Sequence, residues 1–403
     1  MGFSAVMPWK TRSLLEARRR WVQAALRQVQ SLAQLCHQAG VSRKTGYKWL
    51  HRFRAEGTPG LRDRSRRPRR SPTRTPGRWL EAVRQVRRRR PTWGGKKIYA
   101  WLRRRHRHAR LPKPRTIARW LRRWGAVRRR QRTARRGPPR PRPALTIPTR
   151  PNQVWTVDFK GWFRTGDGQR VDPLTVRDLF SRYVLGIRLL RHRHQHVQRY
   201  FQRLFARYGL PEIIRVDHGR PFAGDGALDL SRLSVWWWSL GIRVQFTGRA
   251  RPHDNAAHEQ MHRVYQQEVA RRPAPTPAAQ QRRTDRWIRY YNWERPHEAL
   301  GQRVPAEVYR RSRRRYRGAA RPWRYPRRWH TARVTASGYV RWRGRLRVIG
   351  RAFGGQRVGF KPVGPGIHEV YFRTHLIGLL VETDRGGMRP AQWSKARGTA
   401  SRV

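Results

Sequence analysis

Val154-Trp155-Thr156-Val157-Asp158-Phe159 is the stretch on which the reading of this chain turns. Apolar and polar residues alternate in it with a period of two, and β-branched and aromatic types dominate, so it predicts a strand that finishes beside an acid. Downstream, Thr165-Gly166-Asp167-Gly168-Gln169 supplies a hairpin turn, and 174–179 and 183–189 read as two more strands, making three antiparallel strands in a row. A helix over about 196–208, with Val197, Tyr200, Phe201, Leu204 and Phe205 on one side, stops at Gly209-Leu210-Pro211. Ile213-Ile214-Arg215-Val216-Asp217 is a short buried strand that again ends in an acid; a helix (about 227–240), a strand (242–246) and a helix from about Asp254 come next. This order gives a mixed sheet with helices on its faces.

The surroundings of this segment are strongly basic. Across 403 residues, 95 Lys+Arg stand against 22 Asp+Glu, for a formal charge of +73. Such a chain attracts polyanions, and nucleic acid is the expected partner. The 19 Trp, 13 Tyr and 12 Phe argue for folded domains and against a disordered basic protein. Only nine of the basic residues are Lys. The Arg excess fits a GC-rich genome, so part of the charge reflects codon usage rather than recognition. A single cysteine, Cys36, excludes a disulfide framework and a Cys-based zinc site and reads as a small buried apolar residue. No apolar run is long enough to span a membrane and the start is not a signal peptide, so the expected location is cytoplasmic. Fifteen of the 22 acids lie between residues 151 and 310, which marks the centre as chemically different from its flanks.

On the N-terminal side, residues 1–57 read as a helix-turn-helix. A helix from Leu32 stops at Gly40, Ser42 is placed as an N-cap, and a basic helix runs from Arg43 to Phe53. Tyr47, Leu50 and Trp49 would face the core, leaving Arg43, Lys44 and Lys48 towards DNA. The simpler alternative is a helical hairpin with a solvated basic face. Residues 58–77 read as a linker, and 78–127 as a second helix-turn-helix-like domain with helices near 78–89, 95–105 and 114–124. Its core candidates are Trp93, Ile98, Trp101, Leu102, Ile117, Trp120 and Leu121; Lys96, Lys97 and Arg115 are candidate DNA contacts, as are Lys160 and Arg263 in the central segment. Residues 128–150 and 311–329 read as basic linkers around a 151–310 core. Short alternating segments with Gly-rich turns over 330–385 read as a small β-barrel, followed by a tail, 386–403.

Asp158 and Asp217 occupy equivalent places at strand positions next to turns, and Glu259 lies early on the last helix. Three converging carboxylates suit hard divalent cations. Each also has an ordinary structural explanation: the aspartates would equally satisfy backbone donors, and Glu259 would equally pair with Arg263 one turn on.

Several of these segments resemble a known family. Asn152 to Gly161, Tyr208-Gly209-Leu210-Pro211 through Asp217-His218-Gly219, and Asp254-Asn255-Ala256-Ala257-His258-Glu259 are similar to the core of bacterial insertion-sequence transposases of the DDE type, which carry a retroviral-integrase-like domain. The motif from Tyr291 to Gly301, Met7-Pro8-Trp9-Lys10, and Ser42 to Leu50 resemble the same family, so the likeness runs from Met7 to about residue 385. It implies a multidomain chain: all-α helix-turn-helix units, a central α/β ribonuclease-H-like core with a mixed five-stranded sheet, and a C-terminal DNA-binding β-barrel. It also implies that Asp158, Asp217 and Glu259 hold two Mg²⁺ ions, with Mn²⁺ as a substitute. The motif favours Glu259 over Asp254 and Glu268, and leaves Asp178 structural. The implied reaction is hydrolysis at the element's end, then attack of the freed 3′-hydroxyl on target DNA, with no covalent protein intermediate. The implied partners are double-stranded DNA, as terminal inverted repeats and target, and further copies of the chain assembled on it. His218, where the family often has Asn or Arg, is a departure. The alternative is a non-catalytic, sequence-specific DNA-binding remnant.

Overall fold

The computed structural model describes residues 13–65, 75–127, 145–191, 193–224, 227–248 and 255–391. The motif Met7 to Lys10, most of the 128–150 linker, Asp254 and the tail beyond 391 lie outside them. The chain divides into two compact units, Met1–Arg74 and Thr75–Val403.

In the first unit, α1 (Leu14–Leu26), α2 (Leu32–Gln38) and α3 (Arg43–Glu56) enclose Trp21, Val22, Cys36, Trp49 and Leu50. Ser31 and Gln34 form a capping box on α2, and Ser42 Oγ accepts from Thr45 N at 3.3 Å to cap α3. The short turn between α2 and α3 leaves little room, so the helices meet at Gly46. A Cβ there would lie 2.5 Å from Cys36 Sγ and 2.7 Å from the Trp21 ring.

Three sequence expectations change here. Helix α1 was not expected, because Arg18–Arg20 dilute the apolar spacing of Ala17, Trp21, Val22 and Ala25; Arg18 is itself buried, 3.9 Å over the Trp49 ring and bonded to Leu61 O and Asp63. Tyr47 is 59% exposed and joins Arg43, Lys44 and Lys48 on the outer face of α3, because Gly46 takes the inward position. The stretch read as linker from residue 58 opens with a 3-10 turn, Thr58–Leu61, whose Leu61 closes the core.

The second unit begins with α4 (Gly77–Arg89), α5 (Gly95–Arg105) and α6 (Pro114–Arg123), packed around Val83, Val86, Trp93, Ile98, Leu102, Ile117 and Leu121. Next comes the mixed sheet. Strand β1 (Val154–Phe159) is central; β2 (Phe163–Arg164) and β3 (Arg170–Val171) form a side hairpin; β4 (Pro173–Asp178) and β5 (Val184–Leu189) continue antiparallel from β1. After α7 (His194–Tyr208), β6 (Ile213–Val216) pairs parallel with β1, and after α8 (Arg232–Ser239), β7 (Arg243–Phe246) pairs parallel with β6. The order is β5-β4-β1-β6-β7. Helix α8 is shorter than the sequence suggests, because Leu228 and Asp229 have positive φ and Ser231 caps the helix anew. Helices α9 (Ala256–Tyr265), α10 (Pro277–Trp293) and the single turn α11 (Pro305–Val308) complete the core.

The 77–127 helices dock on the end of α10 and the motif after it. Trp93 Nε1 donates to Tyr290 OH at 2.8 Å and Lys97 Nζ to Pro296 O at 2.7 Å. Arg90 pairs with Glu294, Lys96 with Glu298 and Arg104 with Glu307. The C-terminal segment read as a basic linker is also built in: Ser312 Oγ donates to Leu210 O at 2.6 Å, and Arg314 NH2 to Gly241 O at 2.7 Å.

Beyond it, β8 (His330–Arg333), β9 (Tyr339–Trp342), β10 (Arg345–Val348), β11 (Arg357–Gly364), β12 (Ile367–Phe372), β13 (His375–Val381) and β14 (Arg389–Pro390) alternate as expected but form no closed barrel. Five make an open antiparallel sheet, β14-β13-β12-β11-β8, and β9–β10 form a separate ribbon. Ile349 N and Gly350 N both donate to Gly338 O, which closes the base of the ribbon, and Trp342 of β9 packs on Phe360 of the sheet at 4.5 Å. This module joins the core through Arg232, bonded to Arg351 O and Ala336 O, and through Trp238 stacked on His375 at 4.2 Å.

The Gly46 junction is testable. Gly46→Ala overpacks it and lowers the stability of the first unit by about 1–3 kcal/mol. In the full chain, hydrogen-exchange protection of α2 and α3 should fall while that of residues 75–391 stays unchanged.

Candidate active site

The parallel register pairs Trp155 with Ile214 and Thr156 with Arg215; continued along the strands, it brings Asp158 opposite Asp217. Both carboxylates therefore leave neighbouring parallel strands at the same level and on the same face, where open α/β sheets gather ligands. Thr156, two residues before Asp158, shares that face, and the face is covered by α9, which carries Glu259 in its first turn.

Helix α9 is fastened by two histidines that the local sequence pattern does not single out. His258 Nδ1 lies 2.7 Å from Thr156 Oγ1; His258 Nε2 and His262 Nε2 lie 2.6 and 2.7 Å from Thr175 Oγ1. Thr175 Oγ1 donates its one hydrogen to Asp158 O at 2.8 Å, so both Nε2 atoms must donate to it. Both rings thus carry a proton on Nε2. Burial disfavours their charged forms, holding His258 well below the usual histidine range and His262 at about 3, so both are neutral. The signal was present as His258 and His262 at i, i+4 around Glu259 and as Thr156 two residues before Asp158. Arg177, two residues along β4 from Thr175 and 1% exposed, donates to Ala257 O and ties the start of α9 to the same strand.

Asp158 is strongly perturbed by its place in the site. Burial first, then the charge of Asp217, and more weakly that of Glu259, push the Asp158 carboxyl up to about 7, against a smaller opposing backbone bond at Phe159. Asp217 is exposed and accepts from Gly219 N at 3.0 Å. Arg263, one turn on from Glu259, is exposed, and His262 Nδ1 lies 3.8 Å from Asp158 Oδ2. Lys160, half-buried just beyond β1, has its ammonium disfavoured by burial.

The remaining acids have structural partners. Asp178 accepts from Asn152 N, Ser181 N and Ser181 Oγ, and Glu268 binds Arg295, Trp287 Nε1 and Thr92. His218 stacks on Phe246 and lies 3.9 Å from Asp229. Among the described residues, no three His, Cys, Asp or Glu side chains stand close enough to hold a metal ion as they are placed. The donor chemistry nevertheless fits a hard divalent cation: three carboxylates, one raised towards neutrality by its neighbours, are a set that a cation would relieve.

Of the candidate DNA contacts, Arg43, Lys44, Lys48, Arg115 and Arg263 are exposed. Lys96 is exposed too, although it pairs with Glu298, whereas Lys97 differs from expectation: it is partly buried and donates to Pro296 O where α5 docks. No helix among the described residues is long and apolar enough to cross a membrane.

The strand order, the in-register acids and the facing glutamate define a ribonuclease-H-like core. Sequence comparison agrees: the integrase core domain is matched over residues 148–252 and again over 240–305. The leucine-zipper of insertion element IS481 is matched over 10–89, and the C-terminal domain of the IS481 family transposase over 329–383. The chain belongs to the insertion-sequence transposases with an integrase core. It is 29% identical over 180 residues to an uncharacterized 31.7 kDa protein of insertion element IS407 from Burkholderia multivorans, covering 44% of this chain and 62% of that relative. The matched region thus spans about three fifths of the relative's length. Similar solved structures include the HTLV-2 integrase catalytic core domain in complex with magnesium, at 14% identity, TM-score 0.30, 40% of this chain and 99% of that one. Another is a simian T-cell lymphotropic virus intasome, at 15% identity, TM-score 0.36, 60% of this chain and 82% of that one.

This geometry has two measurable outcomes. Thr175→Val strands two imidazole donors and a backbone acceptor, and should lower stability by about 1–3 kcal/mol, read by denaturant unfolding. The Asp158 carboxyl holds its proton more tightly in the folded chain than in the unfolded chain, so the metal-free protein loses stability as pH rises from about 4 to about 7. Asp158→Asn removes that loss; its melting temperature should exceed wild type at pH 8 and match it near pH 4, whereas equal melting at both would refute the perturbation.

Proposed function

We propose that this chain is a DNA transposase of the DDE type, cutting at the ends of its element and joining the freed 3′-hydroxyl to target DNA. The observation that carries the reading is the placement of Asp158 and Asp217 on adjacent parallel strands with Glu259 on the helix across the same face. Asp158, Asp217 and Glu259 would hold divalent cations, Mg²⁺ or Mn²⁺, two in number by the family's pattern. Bound there, such ions supply Lewis acidity and an activated water for in-line displacement at phosphorus.

The chain's own residues prepare that site. The two imidazoles stay neutral, fixing α9 without adding a competing cation. Asp158, unwilling to ionise alone, gains full charge when positive charge arrives, which couples site assembly to cation and substrate. Lys160 stands one residue beyond β1, placed to meet a backbone phosphate of the strand being cut. The exposed face of α3, with Arg43, Lys44, Tyr47 and Lys48, suits the major groove, and Arg115 and Arg263 offer phosphate contacts. Assembly of several copies on paired element ends, and action in the bacterial cytoplasm, belong to the same reading.

The test is cleavage of the element's own end sequences with Mg²⁺ supplied or withheld. Asp158→Ala and Glu259→Gln should each reduce cleavage and strand transfer to background while salt-sensitive binding to the same DNA persists. Full activity in either variant would reject the assignment, and binding without Mg²⁺-dependent cleavage in the wild type would favour a non-catalytic remnant.

A further inference from the structure

We propose that Trp162 is a stacking platform for an unpaired DNA base beside the carboxylate site; the proposal rests on the reading of this chain as an enzyme that acts on DNA. Trp162 is 55% exposed, four residues after Asp158. An indole of this size on the surface forfeits the stabilisation of burial, and here the neighbouring geometry keeps it out. The chain leaves β1, turns at Gly161 with φ of +91°, and two residues later packs Phe163 against the cluster that includes Met261 and Tyr265 of α9. Trp162 and Phe163 therefore divide: one anchors the hairpin next to the helix that carries Glu259, and the other stands free.

The hairpin is rigid where it matters. Gly166 N and Asp167 N donate to Ala274 O and Pro275 O at 2.9 and 2.8 Å, and Asp167 in turn accepts from Thr165 Oγ1 and Gln169 N. Two guanidinium groups lie over the indole, Arg170 at 5.1 Å and Arg164 at 5.9 Å from the ring centroid, each a cation that an incoming phosphate would meet. Neither is loose: Arg170 is held by both oxygens of Asp172 and Arg164 by Gly168 O at 2.7 Å. The result is a fixed aromatic ring in a positive setting, within a few residues of Asp158 and Lys160. A nucleotide presents a π-face and a phosphate, and this is the pairing of groups that takes both. A base pair inside a duplex has both faces covered, and an unpaired base at its end is the one free to leave the stack, so the ligand class is an unpaired nucleotide at a duplex end.

The test uses the full-length chain and a duplex of arbitrary sequence with a short 5′ overhang containing 2-aminopurine, compared with the same duplex blunt. Wild type should bind the overhang duplex about five- to a hundredfold tighter than the blunt one, with quenching of 2-aminopurine. Trp162→Ala should bring that ratio to one and abolish quenching, and Trp162→Phe should restore most of both. An unchanged ratio and quench in Trp162→Ala, or no preference in the wild type, would overturn the proposal. Asp158→Asn separates the two readings: it should keep the overhang preference while losing cleavage. If it cleaves normally while Trp162→Ala loses the preference, the assignment of the carboxylates fails and the platform stands.

Discussion

One hydroxyl organises the centre of this molecule. Thr175 Oγ1 donates to Asp158 O and accepts from His258 and His262, so a single oxygen joins β1, β4 and α9. With one hydrogen and two lone pairs it is fully used, and its saturation places a proton on Nε2 of both imidazoles. Had either ring been charged, a buried cation would sit against Arg177 and Lys160, which already crowd this face. Neutral imidazoles therefore leave Arg177 and Lys160 as the cations facing the three carboxylates, and add no third one.

The concentration of acids in the middle of a +73 chain has two explanations rather than one. Asp158, Asp217 and Glu259 are candidates for chemistry. Glu268, Glu294, Glu298 and Glu307 do mechanical work, receiving Arg295, Arg90, Lys96 and Arg104. The exposed pairs among them contribute little each, since solvent screens them. The buried Glu268–Arg295 pair, with Trp287 and Thr92 completing its bonds, fixes the motif after α10.

Much of this was legible in the sequence because the period-two strands and their terminal acids are local signals. The β1, β4, β5 and β6 segments, the Ser42 cap and the core of the 77–127 helices fall where their patterns put them. What escaped depended on distant partners. Nothing local marks Lys97 as a ligand of Pro296 O, Leu61 as the lid of the first core, or Tyr47 as displaced outward by a glycine that must admit Cys36. Alternation gave the C-terminal strands but not whether their ends would meet, since closure is decided by pairing across the sheet; β8 and β14 remain its two edges. The histidines around Glu259 stand at i, i+4, but that spacing does not say what they bind, because their partners lie some 80 to 100 residues away in sequence.

The docking of the 77–127 helices on the α10 motif also bears on how such a protein can change its ancestry. A segment whose cations answer particular glutamates in the core, and whose Trp93 meets Tyr290, is matched to that core like a key cut for one lock. An element that borrowed these helices from a stranger would import mismatched charges and an unfilled socket. The compact units divide at Arg74 and Thr75, so the docked helices belong to the core's own unit, and a change on one side of these contacts calls for a matching change on the other.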